Sequence, residues 1–110
     1  MLGNRPGRKV AVLGDMLELG VCAPAEHYRV GRIAAEKADM LLAFGPNSSR
    51  MVSGAITGGM LEKMAKAFEN REEMAAAMKR MIKPGDVILV KGSRGMRMEL
   101  ILEQFLTEET

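Results

Sequence analysis

The amino-acid sequence predicts an α/β domain with a mostly parallel sheet of four or more strands and helices on both faces. Two observations carry this. Four short apolar runs alternate with four helical patterns along 110 residues, and no linker, repeat or low-complexity segment interrupts them. Two of the runs, 10–13 (VAVL) and 87–90 (VILV), are continuously apolar, which suits parallel strands covered on both faces. Such strands are joined by right-handed crossovers, and a chain of this length forms one domain around one core.

The strands are expected at Lys9–Leu13, Met40–Phe44, Ala65–Phe68 (the weakest) and Asp86–Val90. After the first, Pro24 suits a first helical position, and the helix runs to about Ala38. Val30, Ala34 and Ala38 share one stripe of it, with Gly31 allowing close approach to a sheet. After the second strand, residues 45–48 (GPNS) open a helix that ends near Thr57-Gly58-Gly59. After the third, Asn70 with Glu73 makes a capping-box-like start. Met74, Met78, Met81 and Ile82 then repeat at helical spacing until Pro84-Gly85-Asp86 stops the run. Met98, Ile101, Leu102 and Phe105 form the last stripe.

Composition excludes several classes. One cysteine, Cys22, rules out an internal disulfide framework and a four-cysteine zinc site, and fits a reducing, cytoplasmic setting. No apolar run approaches the ~18 residues of a membrane span, so no membrane insertion is expected. A net charge of +2, with three Phe, one Tyr and no Trp, argues against nucleic-acid partners. The eleven methionines read as core filling. No metal site is expected, and the sequence has neither a G-x-x-x-x-G-K-[ST] phosphate loop nor a G-x-G-x-x-G fingerprint.

In an open α/β sheet, ligands bind beyond the carboxyl ends of the strands. Three segments fall there. In 14–20 (GDMLELG), two glycines bracket the carboxylates of Asp15 and Glu18; the loop is either a turn with solvated acids or part of a site. His27, the only histidine, shares the stripe of Val30 and Gly31 and points to the same crevice, as a hydrogen-bonded structural residue or a functional one. In 91–95 (KGSRG), Lys91, Ser93 and Arg94 meet the N–H groups of a helix start. That is the make-up of an anion site, Arg94 acting as a fork and Lys91 as a point charge, or else a solvated polar turn. These residues locate a small-anion site and stop short of a reaction.

Residues 12–20 (VLGDMLELG), His27 with Val30-Gly31, and 84–99 (PGDVILVKGSRGMRME) together resemble the C-terminal domain of the ATP-dependent Mur ligases, over about residues 8–106. The run 84–99 is the most specific part. The resemblance implies a Rossmann-like, three-layer domain over 8–110, with 1–7 as a linker or an artificial start. It further implies the ligase reaction that adds D-alanyl-D-alanine to UDP-N-acetylmuramoyl-tripeptide in cytoplasmic peptidoglycan precursor synthesis. In that family an acyl phosphate is attacked by the dipeptide amine. ATP and Mg²⁺ are held mainly by other domains, and the C-terminal domain closes over the nucleotide and presents the dipeptide.

Carried over residue by residue, Lys91, Ser93 and Arg94 would face the dipeptide and its carboxylate. Asp15 and Glu18 would bind its ammonium or fix the interdomain crevice, and His27 would lie near the nucleotide phosphates or orient the loop. No residue of this domain alone is expected to be catalytic, and the family's Tyr-Asn-x-Asn-Pro segment is absent, so the chain alone should not ligate. One departure is 21–26 (VCAPAE), mostly apolar where the family is acidic, which points to a packing contact there. The competing reading is a freestanding Rossmann-like module that binds a small anionic ligand without catalysis.

Overall fold

The structure, a computed structural model, describes residues 7–16 and 22–92. Their elements run β1 (Lys9–Gly14), α1 (Ala23–Lys37), β2 (Met40–Phe44), α2 (Ser48–Thr57), a 3₁₀ turn (Glu62–Met64), β3 (Ala65–Phe68), α3 (Arg71–Met81) and β4 (Val87–Lys91). All pairings are parallel, in the order β3-β2-β1-β4. The chain steps outward from β1 through β2 to β3, then returns to the far side of β1. The sheet therefore reverses direction between β1 and β4.

Residue alternation along β1 and β2 assigns the layers. Val10, Val12, Met40, Leu42 and Phe44 point to one face, where Met74 and Met78 of α3 cover them. Ala11, Leu13, Leu41 and Ala43 point to the other, against Ala34 of α1 and Met51 and Ala55 of α2. Helices thus lie on both faces, as the continuously apolar strands require. Met40, Met51, Met74 and Met78 are fully buried, so those four methionines fill core volume with flexible side chains.

The local signals act where they were read. Pro24 sits in the first turn of α1. The Asn70 side chain accepts from the Glu73 N–H at 2.9 Å and caps α3. The last stripe, Met98 to Phe105, lies outside the described residues, and among those described Val87 and Leu89 of β4 are exposed.

One expectation is corrected. Gly31 was expected to bring α1 close to the sheet; instead it brings α1 close to α2. A Cβ on Gly31 would stand 1.9 Å from the Met51 carbonyl oxygen, and one on Gly54 would stand 2.0 Å from that of Tyr28. The two glycines form a reciprocal contact, because two helices on one face over neighbouring strands must pack on each other as well as on the sheet. Near this crossing the Tyr28 hydroxyl donates to Thr57 Oγ1 at 2.9 Å.

At the amino end of the sheet, Arg8 Nη2 donates to Asp86 Oδ2 at 2.9 Å and to the Met81 carbonyl at 2.7 Å, and Arg8 Nε donates to Asp86 Oδ1 at 3.3 Å. This fork joins the start of β1 to the α3–β4 turn. The hydrogen bond from Arg8, with the Lys83 N–H at 2.8 Å, holds the Asp86 carboxyl below its ordinary value; the same pairing raises Arg8.

Two outcomes follow from this packing. Gly31→Ala should cost about 3 kcal/mol in urea unfolding, since overpacking against rigid backbone outweighs the roughly 1 kcal/mol gain in helix propensity; a cost near zero would mean that α1 and α2 separate freely. The stability contributed by Asp86 is present above the ordinary carboxylate value and is lost as pH falls through its lowered folded value. Asp86→Asn should therefore lower stability near neutrality by about 1–2 kcal/mol and flatten the acid limb of a Tm-versus-pH curve.

Candidate functional site

The reversal between β1 and β4 opens a crevice at the carboxyl edge of the sheet, where ligands of open α/β sheets bind. A cavity of about 270 Å³ occupies it, lined by Leu13, Gly14, Met16, Val30, Lys91 and Gly92. Leu13 and Lys91 are register partners, so the end of β4 stands directly beside that of β1. Among the described residues the walls are mostly apolar, and the one cationic group lining the cavity is Lys91. Among the described residues its ammonium has no ion-pair partner. The cavity suits a small ligand with a short apolar body and an anionic end.

Asp15 follows β1 but does not face solvent; it is 2% exposed. Its N–H donates to the Phe44 carbonyl at 3.0 Å, extending the β1–β2 ladder by one residue. Its carboxylate turns to the start of α2, where Oδ1 accepts from the Asn47 N–H and Oδ2 from Asn47 Nδ2, each at 2.9 Å. Asn47 is the N-cap of α2, yet its side chain makes no capping bond of its own. Asp15 thus anchors that end from another strand, placing negative charge at a helix N-terminus. Gly45, with φ of 123°, turns the chain from β2 into this position.

His27 is fully buried. Its Nε2 accepts from the Met16 N–H at 2.8 Å, and its Nδ1 lies 2.6 Å from the Ala23 carbonyl. The first contact requires an unprotonated Nε2, and the second places the proton on Nδ1, so this geometry is that of a neutral ring. Asp15 Oδ2 stands 3.7 Å from Nε2, two acceptors with no proton between them.

Three of the six singled-out residues, Asp15, His27 and Lys91, are therefore assembled around one end of β1. Glu18, Ser93 and Arg94 lie outside the described residues. Asn47 was missed as a site residue: the GPNS run signalled only a helix start, and its partner is 32 positions away. Arg71, at the start of α3, stacks over the Phe44 ring at 5.7 Å on the same edge. The described residues contain no cluster of three His, Cys, Asp or Glu able to hold a metal.

Because Asp15 ties two strands to a helix, Asp15→Ala should destabilise the domain by about 2–4 kcal/mol, leaving two donors of Asn47 without their acceptor. Denaturant unfolding with unchanged stability would show that water replaces the carboxylate at no cost.

Comparison with known proteins follows the same lines. The family model described as "Mur ligase, glutamate ligase domain" matches residues 2–94. UDP-N-acetylmuramoyl-tripeptide–D-alanyl-D-alanine ligases from Synechocystis and Treponema pallidum are 37% and 40% identical to the chain, over 98% and 92% of its length. The chain spans only 24% and 22% of those relatives. A crystal structure of MurF from Acinetobacter baumannii superposes with a TM-score of 0.81 at 32% identity, over 96% of this chain and 24% of that one. MurF from Thermotoga maritima, solved in complex with ADP, gives 0.73 at 30% identity, over 97% and 23%. With a Rossmann-like sheet reversal, a matching family model over most of its length and these structural neighbours, the chain belongs to the Mur ligase family, as its glutamate ligase domain.

Proposed function

We propose that the chain is the C-terminal domain of an ATP-dependent ligase that adds D-alanyl-D-alanine to UDP-N-acetylmuramoyl-tripeptide in peptidoglycan precursor synthesis. Residues 8–110 would form the domain, 1–7 would lead into it, and the enzyme would work in the cytoplasm. The observation that carries this is the cavity at the sheet reversal. Its apolar walls and, among the described residues, its one ammonium match a dipeptide of two methyl side chains ending in a carboxylate. The relatives named for this activity support the reading.

In this reading Lys91 holds the dipeptide carboxylate, with Ser93 and Arg94 beside it and Glu18 near its ammonium. Asp15, with both oxygens engaged by Asn47, fixes the crevice rather than the ligand. His27, with both ring nitrogens bonded to backbone, holds Met16 beyond the end of β1 rather than touching the nucleotide. When bound, ATP would supply the phosphoryl group that activates the carboxylate of the tripeptide, and Mg²⁺ would steady the phosphate charge. The described residues do not fit the metal, since no carboxylate cluster is present among them and Asp15 is already committed. Both would be held by the remaining domains of the longer enzyme.

This domain then acts by placement. Closing brings the dipeptide amine to the acyl carbon and excludes the water that would hydrolyse the intermediate.

Lys91 is exposed, so removing it should leave the fold intact. In the full-length ligase, Lys91→Ala should lower kcat/KM for D-alanyl-D-alanine by about 10- to 100-fold, the value of one charge-assisted hydrogen bond, with Tm unchanged. Unchanged turnover in a folded variant would sink the assignment and favour a module that binds another small anion.

A further inference from the structure

Among the described residues at the crevice, His27 is a fully buried ring whose bonding depends on its protonation state. We propose that it is a latch, holding the wall of the cavity in place only while its ring is neutral. Nε2 accepts from Met16, and Met16 lines the cavity with Val30, one turn beyond His27 on α1. A proton taken up at Nε2 turns that acceptor into a donor, and two N–H groups cannot share a 2.8 Å contact. The Met16 N–H is then expelled.

The new Nε2–H has an acceptor nearby. Asp15 Oδ2 stands 3.7 Å away and at present accepts from Asn47 Nδ2. Closing that gap forms a charge-assisted pair and draws Asp15 away from Asn47, so one proton loosens both the hold on Met16 and the α2 start. Asp15 is the charged group facing the ring from β1. On α1 itself, Glu26 is turned to Arg29 at 3.4 Å on the exposed side. From α2, packed against α1, backbone atoms of Met51 and Ala55 meet Gly31, and Asn47 at the helix start holds Asp15. Glu18 lies outside the described residues.

The latch itself stands on geometry alone; its effect on dipeptide binding rests on the reading above. NMR of the ¹⁵N-labelled chain separates the two. In the neutral state the proton should sit on Nδ1. As the ring takes up its second proton, the Met16 backbone amide and the Asn47 side-chain amide should shift with the same midpoint, while far-UV circular dichroism holds. A ring that titrates with those two amides unmoved, a neutral ring protonated on Nε2, or a ring that stays neutral until the chain unfolds would each overturn the latch. His27→Gln keeps an acceptor that does not titrate, and should make the Met16 amide insensitive to pH; should it fail to fold, the wild-type titration decides.

In the full-length ligase, the KM for D-alanyl-D-alanine should rise about fivefold through the same transition, the worth of one neutral hydrogen bond, and stay flat in His27→Gln. If Lys91→Ala leaves turnover unchanged while the amides still move, the ligase reading falls and the latch remains. If Lys91→Ala acts as expected but the wild-type KM does not move, the coupling of latch to ligand falls.

Discussion

The carboxyl edge of this domain is organised by one buried carboxylate. Asp15 sits where β1 leaves the sheet, and its backbone N–H still belongs to the β1–β2 ladder through the Phe44 carbonyl. Its side chain reaches across to Asn47 and satisfies two donors at the start of α2. A charge taken out of water survives only where its lone pairs are used, and here they are. The end of β1, the β2–α2 turn and the N-terminus of α2 consequently hold one arrangement. The cavity beside them inherits its shape from that arrangement, because Gly14 and Met16 flank Asp15 directly.

The layers beneath tolerate variation that this edge does not. Five buried methionines, four of them fully buried, and a set of alanines fill the space between sheet and helices. Such a core is adaptable in rotamer and forgiving in shape. The α1–α2 crossing is the exception. Gly31 and Gly54 let two backbones touch, and the contact lies one turn beyond His27 on the same helix. Rigid packing on one face of α1 therefore supports the ring that holds the loop on the other side of the crevice. The Arg8–Asp86 fork does the equivalent at the opposite end of the sheet, fixing where β4 begins and hence where Lys91 ends up.

Much of the site was legible as location and little of it as role. Asp15, His27 and Lys91 were singled out because they follow strands, and the structure gathers them around one strand end. That the Asp15 carboxylate faces Asn47 instead of solvent was not legible, since the pairing spans 32 residues and depends on how two loops stack. His27 was open between a structural and a functional reading for the same reason: its partners are backbone groups, which leave no mark in composition. The Arg8–Asp86 pair, 78 residues apart, carries no sequence signal at all.

What the sequence by itself determined is the order and kind of the elements. The continuous apolar run at 10–13 demands a strand buried on both faces, Pro24 and Asn70 start helices by local stereochemistry, and the alternation of types allows little but a parallel sheet; the equally apolar run at 87–90 forms a strand too, but one that leaves Val87 and Leu89 exposed. These are short-range effects of backbone geometry and hydrophobic periodicity. Tertiary structure alone decided which loops meet. The return of β4 to the side of β1 creates the crevice, the stacking of α1 on α2 redirects Gly31 from the sheet to a helix, and the burial of Asp15 and His27 commits their polar atoms to backbone and Asn47. Each depends on contacts between residues far apart in the chain, whose energies exist only once the sheet has assembled.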